Sequence, residues 1–243
     1  MLFLTGAALI LLVSLFRRDL ERRREDFITV IGYAIYISVG SELQSLLAQK
    51  LTQTCDVSLL RLDARLGFDP MAFATAIAHY WWAVVVLALV YAALPLMIGF
   101  AWSLEQDFLM RRAVVLAGCL CFVCYALFPA VGPGGFDWML QAARFVPRNA
   151  MPSMHLTWAL LIALNARRPR LRIGLWIYAA LMALATLTLR QHYLVDLIAA
   201  VPFTFAIQWL AVHLPSIQKG ESPVTGGRRA HSDAEGLCPN IAE

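Results

Sequence analysis

Apolar residues along this chain gather into seven runs, with polar residues falling between the runs instead of alternating within them. The runs cover residues 2–16, 27–48, 82–102, 113–128, 155–166, 173–189 and 193–214. Continuous apolar stretches of this kind predict helices buried on every side, in protein or in lipid. A helix needs about 20 residues to cross the hydrocarbon core of a bilayer. The pattern therefore predicts an all-α, polytopic membrane helix bundle with seven spans, of which the first is short and the last is interrupted by Pro202.

Three segments between the runs have their own character. "CDVSLLRLDARLGFDP", residues 55–70, mixes leucine with arginine and aspartate at helical spacing and predicts an amphipathic helix on the membrane interface. "FPAVGPGGFDWMLQAARFVPRN", residues 128–149, is rich in Gly and Pro and predicts an ordered, irregular loop. Residues 215–243 are polar and predict a disordered cytoplasmic tail. The chain thus divides into an N-terminal span with a basic loop (1–26), a membrane domain (27–214) and the tail.

Composition agrees, at 60% hydrophobic and 15% charged, against roughly half and a quarter in ordinary globular chains. The formal net charge of +4 does not point to nucleic acid, because the basic residues form short clusters between apolar runs. Such clusters set membrane orientation. The loops after runs one, three and five hold Arg17, Arg18, Arg22, Arg23, Arg24, Arg111, Arg112, Arg167, Arg168, Arg170 and Arg172; the tail adds Lys219, Arg228 and Arg229. Those 14 of 20 basic residues predict the cytoplasmic side, leaving Lys50, Arg61, Arg65, Arg144, Arg148 and Arg190 outside. Charge follows the first run instead of preceding it, which fits a reversed anchor or short span better than a cleaved signal. The expected setting is a bacterial inner membrane, with any outer-end site facing the periplasm or exterior. Cys119, Cys121 and Cys124 lie inside an apolar run and read as packing, not as a disulfide framework or metal site.

Two polar clusters break the apolar pattern at that outer level. Arg148, Ser153 and His155 stand at the start of run five; Arg190, His192 and Asp196 stand at the junction of runs six and seven. His192 and Asp196 are four residues apart, so a helix would face them the same way. The carboxylate then holds one ring nitrogen and leaves the other as a nucleophile. His155 offers a second imidazole to give and take a proton. Arg148 and Arg190 offer planar donor forks for phosphate oxygens. Pro152 and Ser153 suit the first turn of a helix, whose free N–H groups also attract anions. Together these groups describe phosphoryl transfer through a phosphohistidine, with His192, His155 and Asp196 catalytic and Arg148, Ser153 and Arg190 on the phosphate. No cofactor or metal is called for. A metal on His155, His192 and Asp196 would be opposed by the neighbouring arginines. Glu42, inside run two, is expected to pair with an arginine or to line a cavity.

These residues resemble the type-2 phosphatidic acid phosphatase superfamily. "PSMH" is similar to its second block, usually Pro-Ser-Gly-His, and "HYLVD" to the His-x-x-x-Asp end of its third block. Met154 at the third place of the second block, with "FPAVGP", "RNAMPS" and "HYLVDLIAAVPF", resembles most the inositol phosphorylceramide synthase-like, inositolphosphotransferase branch. The resemblance spans about residues 56–209. It implies a six-helix membrane core with an extra N-terminal span here, a site at the outer or lumenal face, a nucleophile at His192, support from Asp196 and acid/base work by His155. The family's first block, a lysine followed by Arg-Pro, is absent; Arg148 is its nearest functional substitute, with Arg144 as alternative. The third-block arginine falls where this chain has Thr186.

The expected function is a metal-independent phosphatase or phosphotransferase acting on a phospholipid or lipid phosphate, with water or an alcohol as acceptor. The alternative is a non-enzymatic membrane transporter or scaffold with a degenerate site.

Overall fold

A computed structural model describes residues 20–51, 53–105, 108–135 and 147–214. The expected first span, the centre of the 128–149 loop with Arg144, and the tail all lie outside the described residues. Nine helices are described: α1 (Leu20–Lys50), α2 (Asp56–Arg65), α3 (Pro70–Ala78), α4 (Trp81–Ala92), α5 (Leu94–Glu105), α6 (Phe108–Leu127), α7 (Met154–Asn165), α8 (Pro169–Thr188) and α9 (Leu194–His213). No strand occurs among the described residues. The chain is an all-α membrane bundle.

Helices α6, α8 and α9 are long and apolar enough to cross a membrane, and α3 with α4 would make a fourth if their 116° bend is one broken span. Of the expected spans, those over 82–102 and 155–166 are not single helices of spanning length among the described residues. The run over 82–102 is broken at Ala93 into α4 and α5. Pro95 explains the break: it is tolerated in the first turn of α5 but would clash inside a continuing α4. Helix α7 has 12 residues, about 18 Å of rise, against the ~30 Å of a hydrocarbon core. It does not face lipid. It packs against α5, α6, α8 and α9, and Leu156, Thr157, Trp158, Ala159, Leu161, Ile162 and Ala163 on consecutive faces are all buried. A helix apolar all round belongs at a centre. Trp158 Nε1 donates to the Val114 carbonyl of α6 at 3.2 Å. At the other end Asn165 and Gln208 of α9 exchange amide hydrogen bonds of 2.9 Å in both directions.

The outer helices are two-faced in the membrane sense. On α9, Asp196, Leu197, Ala200, Thr204, Ile207 and Ala211 are buried, while Ile198, Val201, Phe205, Trp209 and Val212 are exposed. The exposed set recurs every three or four residues, so it is one stripe. On α8 the exposed residues include Ile173, Ile177 and Leu184. Large apolar stripes on the outside, with small and polar residues turned inward, fit a solvent of hydrocarbon.

The helix expected over 55–70 forms as α2, but with its polarity reversed. Asp56, Leu59 and Asp63 are buried, whereas Val57, Leu60 and Leu62 are exposed. The two carboxylates accept hydrogen bonds from backbone amides of other segments, while Leu60 and Leu62 are exposed. Glu42 is exposed on α1.

Candidate active site

His155 is the second residue of α7. The helix begins there because Ser153 is its N-cap, extended at φ −65 and ψ 107, with its hydroxyl accepting from Leu156 N. His192 comes from the connection between α8 and α9. Helix α8 ends in a left-handed residue, Arg190 at φ 55. Around it Gln191 N donates to Thr186 O at 2.9 Å and Arg190 N to Leu187 O at 3.1 Å. That is the paired closure of a Schellman motif, with arginine at the place glycine usually takes. The left-handed conformation costs a non-glycine residue about 1–2 kcal/mol. Neighbouring packing holds it: Gly134 N donates to Arg190 O at 2.8 Å, and Gly132, at φ 87, lies so close that a Cβ would collide with the Gln191 carbonyl.

The structure brings His155, His192 and Asp196 together. The two imidazoles meet edge to face with centroids 5.9 Å apart, and Tyr91 of α4 stacks on His155 at 4.2 Å. His192 Nδ1 lies 3.4 Å from Asp196 Oδ2, and this approach is not yet a formed hydrogen bond. Catalytic hydrogen bonds commonly tighten only when substrate is bound. The reason the pair meets differs from the expected one. Helix α9 starts at Leu194, so His192 and Asp196 do not share a helix face. Asp196 is in the first turn and reaches back, Oδ2 accepting from Tyr193 N at 2.9 Å. This is half of a capping box, and it sets the carboxylate beside the preceding residue, His192.

Both histidines line a cavity of about 420 Å³ together with Asn149, Gln191 and, from α1, Ser41 and Gln44; Tyr91, Phe122 and Trp158 supply apolar walls. Arg148, Ser153 and Arg190 do not line it. Arg148 is buried, its Nε donating to Leu51 O at 3.2 Å. Burial lowers its pKa, opposed by the attraction of Asp56. Ser153 is fully buried as the cap of α7. Arg190 is half-exposed. Each arginine directly precedes a cavity residue in sequence, Asn149 or Gln191. Among the described residues no group of three or more His, Cys, Asp or Glu is arranged to hold a metal ion.

Burial pushes the His192 imidazole down to about 4, with the Ala150 carbonyl opposing the fall. Two pH effects follow. The ring is neutral, and nucleophilic on one nitrogen, throughout the physiological range. With an aryl phosphate whose leaving group needs no proton, the rate of phosphoenzyme formation is expected to stay level from pH 8 to about 5 and to fall towards 4, as quench measurements across pH would show. Stability runs the same way. As pH falls below about 6.5 the unfolded chain takes up a proton that folded His192 refuses, so the native state loses stability between there and about 4.

Two buried carboxylates on α2 escaped sequence reasoning. Asp56 Oδ1 accepts from Gly132 N at 3.0 Å and from the Tyr193 hydroxyl at 3.0 Å, and Val131 N donates to the same group at 3.1 Å. Asp63 accepts from Leu194 N and Val195 N, each at 2.9 Å. Their only sequence signal is a spacing of seven on an otherwise ordinary amphipathic stretch.

A family model described as PAP2 superfamily matches residues 57–210, which is more than half of the 243-residue chain. No curated protein and no solved structure matches the chain.

Proposed function

This chain belongs to the PAP2 superfamily, and from that premise we propose that it is a lipid-phosphate phosphatase or phosphotransferase working through a phosphohistidine at the outer membrane face. Membership supports an enzyme that moves phosphoryl groups on lipid phosphates at a membrane. The observation that carries the finer reading is the meeting of His155, His192 and Asp196 at one cavity.

In the proposed first step, His192 Nε2 attacks phosphorus, the bond from phosphorus to the lipid oxygen breaks, and His155 gives that oxygen a proton. Asp196 holds Nδ1–H and offsets the positive charge that the ring acquires. In the second step His155 removes a proton from the acceptor, whose oxygen attacks phosphorus as the P–N bond breaks. Arg148 and Arg190, each next in sequence to a cavity residue, and the amides at the start of α7, set by Ser153, are proposed to offset charge on the equatorial oxygens. Orientation to the outer face is supported by the arginine and lysine distribution.

The cavity also favours an acceptor larger than water. Ser41, Gln44, Asn149 and Gln191 give it uncharged hydrogen-bonding groups that suit hydroxyls. Purified protein in detergent, given a phospholipid or lipid phosphate with and without candidate alcohols, tests the reading. A new phosphodiester formed only when alcohol is present identifies a transferase, including the inositolphosphotransferase type. Inorganic phosphate released regardless of alcohol identifies a phosphatase. Neither product, with any lipid phosphate tried, would leave the non-enzymatic reading.

A further inference from the structure

We propose that Asp63, supported by Asp56, is a positioning residue for His192: α2 supplies, from a distant part of the chain, the helix cap that the segment carrying His192 lacks. This rests on the reading of His192 as nucleophile.

The N-terminal N–H groups of any helix need acceptors from outside it. The residue before α9 is Tyr193, whose side chain is not one of the short acceptors that cap helices. Asp196 closes one half of the capping box by accepting from Tyr193 N. The first two amides of the helix are met by Asp63, Oδ2 accepting from Leu194 N and Oδ1 from Val195 N at 2.9 Å each. Two turns earlier on the same face of α2, Asp56 accepts from the Tyr193 hydroxyl and from Gly132 N. Gly132 in turn packs under the Gln191 carbonyl.

The short connection that bears His192 is therefore held at both ends. On one side is the Schellman closure of α8, on the other the carboxylates of α2. Both aspartates are fully buried, which is costly for a carboxylate unless hydrogen bonds replace water, and neither lines the cavity. Their hydrogen bonds go to backbone and to Tyr193, so any effect on chemistry passes through the position of His192. Displacing a reacting group by about 1 Å can cost ~100-fold in rate.

The experiment uses the full chain in detergent with an aryl phosphate as probe. Asp63→Leu removes both acceptor oxygens at similar volume, and Asp63→Asn keeps one. Amide hydrogen exchange over Leu194 and Val195 and the kcat and KM of each variant are measured. For Asp63→Leu the expected results are faster exchange at these amides, kcat lowered about 100-fold and KM unchanged. For Asp63→Asn both effects are expected to be smaller. If Asp63→Leu does not fold, Asp63→Asn alone carries the test. Faster exchange with unaltered kcat would make Asp63 a structural cap only and overturn the positioning role, as would a rise in KM at constant kcat. Unchanged exchange would overturn the cap itself. A wild-type protein that forms no phosphoenzyme, yet whose variants exchange faster, would overturn His192 as nucleophile and leave the cap standing.

Discussion

His192→Ala is expected to abolish phosphoenzyme formation and to lower turnover by about 10⁴-fold or more, the scale seen when the nucleophile of a cooperating set is removed. Nothing else in the cavity can replace it. Among the described residues the carboxylate paired with an imidazole of the cavity is Asp196, 3.4 Å from His192. The cavity lining includes one cysteine and two tyrosines, Cys121, Tyr91 and Tyr125; the Cys121 thiol donates to the Gly118 carbonyl inside its own helix at 2.9 Å, and Tyr91 stacks on His155. The variant must be shown to fold, because His192 is 3% exposed and its loss leaves a hole. His192→Gln keeps most of the volume and one polar end, so it is the better partner variant. Both are expected to give no labelled protein after a quench with radiolabelled substrate, while the thermal midpoint in detergent stays close to that of the parent. Turnover at the parent rate in His192→Gln would sink the covalent mechanism.

Much of this site is legible in the sequence, and the reason is local. Ser153 and His155 are two residues apart, and His192 and Asp196 four. Short spacings survive errors in helix boundaries. The expectation that the two clusters share a membrane level comes from the arginine count, which needs no tertiary detail. What could not be read is long-range. Asp63 meets Leu194 and Val195 across more than half the chain, and no periodicity announces such a contact. The stretch 55–70 has the composition of an interfacial helix, and Leu60, Leu62 and Leu66 are exposed; only the bundle shows that Asp56 and Asp63 are on its buried side. The spacing of four suggests one helix face for His192 and Asp196, but Arg190 in the left-handed region ends α8 and α9 begins only at Leu194, so His192 sits in the gap between the two helices. The break of the third run at Ala93 was signalled by Pro95, in a stretch whose uniform hydrophobicity masked it.

These same contacts bear on how the two imidazoles divide the work, and His155→Ala is expected to separate the two half-reactions. His155 is fixed by α7 and by the stack on Tyr91, 4.2 Å between rings, and it meets His192 edge to face. It is therefore near the reacting group without competing for Asp196. An acid/base of this kind contributes about 10²–10⁴-fold. A lipid alkoxide is a poor leaving group, so with lipid phosphate the variant is expected to lose that factor in the first step and to form little phosphoenzyme. The phenolate of an aryl phosphate leaves without a proton. With that substrate His192 can still attack, the phosphohistidine forms near the parent rate, and its breakdown is slowed by about 10²-fold or more because water or alcohol has lost its base. Phosphoenzyme then accumulates, visible as a burst of phenolate equal to the enzyme present and as protein-bound phosphate that is stable in base and lost in acid. A strong nucleophile such as hydroxylamine, which needs no base, is expected to discharge it. If His155→Ala instead turned over aryl phosphate steadily at the parent rate with no accumulation, His155 would be a wall of the cavity and the proton would have to travel through another group.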